Sequence, residues 1–326
     1  MHVLILAPEP PSRGVLQSIA SHGVIPIVAH PSESSGPDGM VIHERVPARG
    51  DPQDPLSFRW SRRALRTLVR DKRPDLLHLI GDPWTPTAET GAAAARDLKI
   101  PYVLVGTSAL GEAKGLTARW QANRVRDGAA ALAGISKPAL DNLCNGATAR
   151  PRAVLPQPGF AIPAQVADRT APSFPTFAIV GRVVPERGID LALSALSEVF
   201  GEWRLLIVGT GPSQESLERQ AQDLGLSARI EWLGGIPRLE LEQLWPSIDI
   251  LIAPSRSNPA WIEPTGSVVL EAMSHGIAVV VSRSGALPDV VADAGMVVEE
   301  EDRPALARAL ARFVAEPALA RDLGGA

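Results

Sequence analysis

Short apolar runs alternate with segments of helical periodicity along nearly the whole chain. Runs such as Tyr102–Gly106 and Ala278–Ser282 are apolar on both faces, which is typical of strands in a parallel sheet covered by helices. The predicted strands are His2–Ala7, Val24–Ala29, Asp75–Ile80, Tyr102–Gly106, Ala131–Ile135, Arg152–Leu155, Phe177–Val180, Arg204–Val208, Arg229–Trp232, Ile248–Ala253, Ala278–Ser282 and Met296–Val298. This alternation predicts an α/β protein with doubly wound sheets.

The chain is long enough for two such domains, because it has 326 residues and a compact domain has roughly 100–200. The stretch Pro156–Pro175 contains five prolines and no hydrophobic period, which is typical of a linker. We therefore predict two Rossmann-like domains, residues 1–160 and 161–326, facing one another across a cleft. Ligands of such folds bind at the carboxyl ends of the strands, so we expect the site there.

Charge and composition exclude several classes of protein. Residues 1–150 carry 18 lysines and arginines against 14 acidic residues, whereas residues 151–326 carry 14 against 22. Such an acidic half argues against a nucleic-acid-binding protein, because those proteins gain affinity by neutralising phosphates. The single cysteine, Cys144, and the absence of histidine pairs at ligand spacing argue against a metal site. No apolar run approaches the roughly 20 residues of a membrane span, so we expect a cytoplasmic protein.

Two glutamates flank a helix predicted at Ser267–Ser274. Glu263 lies in the loop before this helix, and Glu271 lies on its second turn. The start of a helix offers unpaired N–H groups and a partial positive charge, which suit a phosphate. Carboxylates instead accept hydrogen bonds from hydroxyl groups. A phosphate site between two hydroxyl-binding acids indicates a nucleotide sugar.

Two arginines follow the predicted strand Phe177–Val180. Arg182 and Arg187 lie between this strand and the helix predicted at Arg187–Glu198. Guanidinium groups form charge-assisted hydrogen bonds with phosphates, and they can stabilise the charge that develops on a leaving diphosphate. We therefore predict Glu263, Arg182 and Arg187 as catalytic residues.

Three segments of the second half carry a family resemblance. GRVVPERG (181–188), EPTGSVVLEAMSHG (263–276) and VSRSGALPDVV (281–291) resemble family 4 of the retaining glycosyltransferases, which have the GT-B fold. The resemblance implies transfer of a hexose from a nucleoside diphosphate sugar, with retained anomeric configuration and no obligatory metal. It implies that Glu263 holds the hexose near its anomeric carbon and that Glu271 binds the ribose.

The resemblance also implies further donor contacts. These are Glu271, Thr265, Gly266, Ser267, Val268, Gly234, Arg238 and Gly14. Backbone amides around Gly266–Val268 would cradle the diphosphate, and Arg238 would stack on the nucleobase. Among its departures from the family, the chain has Thr265 where an aromatic residue is usual and only Gly14 where a pair of glycines is usual.

Acceptor contacts are expected in the first domain. Asp82 and Trp84 follow the predicted strand Asp75–Ile80, and an aromatic ring packs well on the face of a sugar. Thr107 and Ser108 stand where the family often has a histidine that touches the donor sugar. We take all four as acceptor-side candidates. The alternative for the loop of Asp82 and Trp84 is a rigid turn with a partly buried tryptophan.

A basic helical face is predicted at Arg59, Arg62, Arg63, Arg66 and Arg70. The simplest interpretation is a solvated face. The alternative is peripheral contact with an anionic membrane or a phosphate-bearing acceptor.

The functional prediction is a retaining hexosyltransferase that needs no cofactor. Its donor is a nucleoside diphosphate sugar, with a UDP-sugar as the first guess, and its acceptor is a glycan, a lipid-linked sugar or a natural product. One alternative is a nucleotide-sugar epimerase of the same fold, which would need an acid/base pair at the sugar carbon. The other is a non-catalytic partner that only binds a nucleotide sugar.

Overall fold

The computed structural model describes residues 1–31, 36–52, 54–111, 115–144, 149–155, 174–259 and 261–325. Its internal contacts divide the chain into unit 1, Met1–Pro158, and unit 2, Gly159–Ala326. The predicted boundary was 160/161. Residues 156–173, which include most of the predicted linker, lie outside the described residues.

Unit 1 contains an eight-stranded sheet in the order β10-β9-β8-β7-β1-β2-β4-β3. Neighbouring strands are parallel except for the antiparallel pair β3 and β4. A separate antiparallel pair, β5 and β6, lies outside this sheet. The strands are β1 His2–Leu6, β2 Ile25–His30, β3 Gly36–Asp38, β4 Val41–Arg45, β5 Ala48–Arg49, β6 Arg59–Trp60, β7 Leu76–Ile80, β8 Tyr102–Gly106, β9 Ala131–Gly134 and β10 Arg152–Val154.

Three helices of unit 1 begin after a residue whose side chain caps the helix. Side chains of Ser61, Thr85 and Ser136 accept hydrogen bonds from backbone amides in the first turns of α2, α3 and α5. The helices are α1 Arg13–Ser21, α2 Arg62–Lys72, α3 Pro86–Leu98, α4 Leu116–Asp127 and α5 Lys137–Leu143. Their apolar faces pack on strands whose central residues, such as Leu4, Leu77 and Leu104, are fully buried.

Unit 2 contains a six-stranded, fully parallel sheet in the order β13-β12-β11-β14-β15-β16. The strands are β11 Thr176–Val180, β12 Arg204–Val208, β13 Ile230–Gly234, β14 Ile250–Ala253, β15 Ala278–Ser282 and β16 Met296–Val298. The order reverses between β11 and β14, so the loops after these two strands diverge and leave a crevice. The prediction of two doubly wound, parallel-sheet units is confirmed.

The helices of unit 2 are α6 Ile189–Leu196, α7 Gln214–Asp223, α8 Arg238–Leu244, α9 Ser267–Ser274, α10 Leu287–Val291, α11 Arg303–Ala315 and α12 Ala318–Gly324, with 3₁₀ turns at Pro185–Arg187, Ser227–Arg229 and Trp245–Ser247. The helix predicted at Arg187–Glu198 is wrong at its start. Gly188 adopts φ +64°, in the left-handed region, and ends the 3₁₀ turn before α6 begins. A Cβ at Gly188 would lie 2.0 Å from the Pro254 carbonyl oxygen, so only glycine permits this approach.

The predicted basic helical face is wrong at its first member. Arg59 lies on β6, where it pairs with Arg49 of β5, and α2 begins only at Arg62. Ser61 caps the helix and Trp60 is buried against the core, which fixes the helix start after Arg59. Strand β4 was not predicted, because its residues are of mixed polarity.

Candidate functional site

Glu263 is a buried carboxylate at the switch point of the unit 2 sheet. It lies at the end of the loop after β14 and is 3% exposed. Its Oε2 accepts hydrogen bonds from Arg187 Nη1 at 2.5 Å and from Ser255 Oγ at 3.4 Å. Its Oε1 accepts from the Gly266 amide at 3.2 Å. A buried charge must be compensated in this way, since an unpaired carboxylate in a protein interior is very costly.

Arg187 comes from the other side of the switch point, at the end of the 3₁₀ turn after β11. Its guanidinium carbon lies 5.5 Å from the centroid of the Trp261 ring, within the range of a cation–π contact. Its Nε is buried and has no hydrogen-bond partner among the described residues. The structure thus brings two predicted catalytic residues, Arg187 and Glu263, into an ion pair that leaves one buried donor unused.

The first turn of α9 adds further unused donors beside Glu263. Gly266 precedes the helix in the left-handed conformation, and no side chain caps the helix. The amides of Ser267 and Val268 have no hydrogen-bond acceptor within the described part of the chain. Together with the positive end of the helix dipole, these donors have the chemistry that suits an anion, next to Thr265.

Arg182 lies on a tightly built loop after β11. The backbone of Gly209 and Gly211 packs closely against this loop. A Cβ at Gly209 would lie 1.8 Å from the Gly181 carbonyl oxygen, and a Cβ at Gly211 would lie 2.1 Å from that of Val183, so only glycine fits at these positions. The Arg182 side chain is exposed and has no partner among the described residues. The structure therefore places Arg182 on the loop of Arg187 but not in the contact with Glu263.

Glu271 is the second buried carboxylate, 4% exposed, on the second turn of α9. Its Oε1 accepts a hydrogen bond from Trp245 Nε1 at 3.1 Å, and Arg238 forms an ion pair with it at 3.0 Å. Arg238 also contacts Glu242 at 3.4 Å. Trp245, a fully buried side chain, was not among the site residues predicted from the sequence. Base stacking by Arg238 stays a prediction, since Arg238 here pairs with the acid expected to bind ribose.

The two glycines predicted at the donor have different surroundings. Gly234 ends β13 at φ +66°, and its carbonyl accepts a hydrogen bond from the Gly209 amide at 2.7 Å. Gly14 lies in unit 1, in the first turn of α1, and a Cβ there would meet nothing within 4 Å. The structure therefore assigns Gly234 a place at the carboxyl edge of the unit 2 sheet, whereas Gly14 is simply open to solvent.

In unit 1, three of the acceptor-side candidates form one cluster. Both carboxylate oxygens of Asp82, which is 3% exposed, accept hydrogen bonds from the amides and hydroxyls of Thr107 and Ser108, at 2.6–3.3 Å. Burial raises the pKa of Asp82 above its ordinary value, and these hydrogen bonds oppose that rise. Asp82 therefore braces the loop after β8. Trp84 is half-buried beside Gly111, whose Cβ would lie 3.3 Å from the ring.

The arginines of α2 are largely neutralised. Arg62 pairs with Glu89 at 2.8 Å, and Arg66 pairs with Asp97 at 3.2 Å. Arg70 contacts its neighbour Asp71 at 3.3 Å.

The described residues contain no group of three or more potential metal-ligating His, Cys, Asp or Glu side chains. Within the same residues, every helix is too short or too polar to cross a membrane.

Comparison with solved structures identifies the fold as GT-B. Anabaena HepE in complex with UDP matches with a TM-score of 0.72 at 18% identity, over 99% of this chain and 93% of that one. Sucrose-phosphate synthase from Thermosynechococcus elongatus matches with a TM-score of 0.68 at 19% identity, over 99% and 92%. At these identities the likeness concerns the fold.

Two family models then account for nearly the whole chain. The model of the glycosyl transferase 4-like domain matches residues 1–158, and that of glycosyl transferases group 1 matches residues 167–326. The chain belongs to the group 1 glycosyltransferases of family 4, as the sequence resemblance predicted.

Named relatives match part of the chain. A GDP-mannose-dependent alpha-(1-6)-phosphatidylinositol monomannoside mannosyltransferase from Mycolicibacterium smegmatis is 36% identical over 46% of this chain and 41% of its own length. The lipopolysaccharide core biosynthesis mannosyltransferase LpcC from Rhizobium leguminosarum is 33% identical over 43% and 41%. The chain thus covers less than half the length of these relatives.

Proposed function

We propose that the chain is a retaining glycosyltransferase that moves a hexose from a nucleoside diphosphate sugar to an acceptor hydroxyl. The observation that carries this proposal is the cluster in unit 2 of Glu263, Arg187 and the uncapped start of α9. It combines a buried acid with N–H donors that have no acceptor among the described residues, as a sugar bound through a diphosphate requires. Family membership supports the same activity.

In this proposal the diphosphate lies on the amides of Ser267 and Val268 and accepts a hydrogen bond from Arg187 Nε. The exposed Arg182 closes over it from the same loop. The bond from the anomeric carbon to the phosphate oxygen breaks, and the acceptor oxygen bonds to the same face of that carbon. The acceptor proton passes to the leaving phosphate, whose growing charge the guanidinium groups and amides stabilise.

The two buried acids then have distinct roles. Glu263 orients the hexose, and its position is fixed by three hydrogen bonds. Glu271 accepts hydrogen bonds from the ribose hydroxyls. Its Oε1 is already engaged by Trp245, so the ribose would approach Oε2, which Arg238 Nη1 contacts at 3.1 Å. Because Arg238 is more than half exposed, it can move to the nucleobase when the ribose takes its place.

We propose GDP-mannose as the donor to test first, since several relatives are named as GDP-mannose-dependent mannosyltransferases. A UDP-sugar, the initial guess, is the second donor. The acceptor is a glycan or a lipid-linked sugar, received in unit 1 near Trp84 and the loop that Asp82 braces. The epimerase and the non-catalytic binding protein gain no support from the comparisons.

Peripheral contact of α2 with an anionic membrane belongs to the same proposal. Arg63 lies on this face together with three ion-paired arginines, so attraction to lipid phosphate should be weak and sensitive to salt. Sedimentation with vesicles containing phosphatidylglycerol at low salt, and loss of sedimentation at high salt, would support it. No sedimentation at low salt would contradict it.

The activity is tested by incubating the chain with each donor and an acceptor panel, and by determining the anomeric configuration of the product by NMR. We expect a product with the configuration of the donor. Glu263→Gln should abolish transfer and change the Kd of GDP by less than about tenfold, which is ~1.4 kcal/mol. The control Glu299→Gln alters an exposed carboxylate paired with Arg283 and should transfer normally. Unaltered turnover by Glu263→Gln contradicts the role of Glu263, and an epimerised donor contradicts the reaction.

A further inference from the structure

Trp261 is the one large aromatic side chain in contact with the Arg187 guanidinium among the described residues. Arg187 thus has three neighbours: the carboxylate of Glu263, the ring of Trp261 and, beside its Nε, the backbone of Gly181. A Cβ at Gly181 would lie 3.6 Å from that Nε. The ring and the carboxylate restrict the guanidinium, while its buried Nε has no acceptor among the described residues.

A short turn presents Trp261. The Asn258 amide donates to the Trp261 carbonyl at 2.8 Å, and the Trp261 amide donates to Asn258 Oδ1 at 2.8 Å. Asn258 Nδ2 in turn donates to Glu186 Oε1 at 3.3 Å, which ties the turn to the residue before Arg187. The tryptophan and the arginine are therefore held by backbone segments that are bonded to each other.

The same loop has strong anchors further along. Arg256 Nη2 lies 2.9 Å from both carboxylate oxygens of Asp190, and Arg256 Nε lies 2.9 Å from Glu301 Oε1. Glu300 accepts hydrogen bonds from the Ser257 amide at 2.8 Å and from the Ser257 hydroxyl at 2.6 Å. These charge-assisted contacts fix the loop before any ligand binds.

We propose that Trp261 is a positioning residue that holds the Arg187 guanidinium against Glu263, so that its Nε points to the donor diphosphate. This inference rests on the proposed function for the identity of the ligand. An arginine side chain has many rotamers, and ordering it during binding costs affinity. The ring and the anchored loop supply that order in advance, and the cation–π attraction strengthens it.

The test compares Trp261→Phe, which keeps an aromatic face, with Trp261→Leu, which removes it. We expect Trp261→Leu to raise the Kd of GDP roughly five- to thirtyfold and Trp261→Phe to stay within about threefold. In the Arg187→Ala background, Trp261→Leu should have no further effect, because a positioning residue acts only through its arginine. A matched control is Trp120→Leu, which removes a ring 5.4 Å from the Arg124 guanidinium in unit 1 and should leave the Kd unchanged.

Two results would overturn the proposal. One is equal affinity of the Phe and Leu variants for GDP. The other is an undiminished effect of Trp261→Leu when Arg187 is already absent, which would mean that the ring contacts the nucleotide itself.

A measurement without nucleotide separates this inference from the proposed function. In nitrogen-15 NMR spectra of the free protein, the Arg187 Nε–Hε signal should be shifted by the ring and ordered. It should lose both properties in Trp261→Leu and retain them in Trp261→Phe. An unchanged signal in Trp261→Leu refutes the positioning role, even if GDP binds, whereas a wild-type protein that binds no nucleotide refutes the proposed function alone.

If Trp261→Leu does not fold, Glu300→Gln loosens the loop without altering the tryptophan. Faster exchange of the Ser257, Asn258 and Trp261 amides, together with weaker GDP binding, supports the proposal. Faster exchange with unchanged affinity contradicts it.

Discussion

Replacing Arg187 by methionine would leave the Glu263 carboxylate buried without its ion-pair partner. Removing one member of a buried pair typically costs ~3–5 kcal/mol. Here Glu263 keeps hydrogen bonds from Gly266 and Ser255, and the Arg187 side chain is 22% exposed, so solvent already screens part of the interaction. We therefore expect Arg187→Met to lower the free energy of unfolding of unit 2 by about 2–3 kcal/mol.

The assay is urea denaturation, with amide hydrogen exchange of β14 and α9 to locate the loss in unit 2. Arg283→Met is a matched control, because Arg283 and Glu299 are 2.7 Å apart but their side chains are 56% and 65% exposed. An exposed pair of this kind contributes less than about 1 kcal/mol. In the double variant with Glu263→Gln, part of the loss should be recovered, since no buried charge remains. The reasoning is refuted if Arg187→Met costs no more than Arg283→Met.

Three further predictions concern the framework. Gly285→Ala should lower the free energy of unfolding of unit 2 by more than about 2 kcal/mol, because the new Cβ would lie 2.0 Å from a main-chain carbonyl oxygen. Gly225→Ala is the control: Gly225 also has a positive φ but has open space around it, so the loss should be about 1 kcal/mol. Thermal denaturation compares the two variants. Burial lowers the pKa of His78 below 6.5, so the unfolded chain takes up a proton more readily than the folded one, and unit 1 should lose stability as the pH falls below 6.5. In urea titrations at a series of pH values, His78→Gln should reduce this dependence of the unfolding free energy on pH. In denaturant titrations, Asp82→Ala should lower the free energy of unfolding by about 2–4 kcal/mol, because the donors of Thr107 and Ser108 lose their acceptor. Asp82→Asn keeps one acceptor oxygen and should cost about half as much.

Elements that depend on local pattern were predictable from the sequence. Strands buried on both faces, such as β11 and β15, are continuous apolar runs, and α9 follows a Pro-Thr-Gly break. The presence of Arg187 and Glu263 at one site also follows from pattern, since both residues come after strands whose carboxyl ends share one edge. These features require only the periodicity of the chain and the parallel arrangement of its strands.

Features that depend on long-range packing were not predictable. Trp261 and Trp245 meet their partners only because the sheet order brings distant loops together, and an isolated tryptophan carries no signal of this in the sequence. The ion pair of Arg238 with Glu271 likewise joins residues 33 positions apart. Strand β4 escaped prediction because its residues are mostly only partly buried and of mixed polarity, so they lack a clean apolar pattern.

The arrangement of the site suggests why both acids are buried. Each is held by at least two donors before a ligand arrives, Glu263 by Arg187, Ser255 and Gly266, and Glu271 by Trp245 and Arg238. Such prior bonding fixes the carboxylates in position, so hydrogen bonds to sugar hydroxyls would require little reorganisation.

The most direct test of the central claim is a crystal structure of the chain with bound GDP. In that structure the diphosphate oxygens should accept hydrogen bonds from the amides of Ser267 and Val268 and from Arg187 Nε, with the ribose at Glu271. A diphosphate bound elsewhere, with these donors still lacking an acceptor, would contradict this assignment.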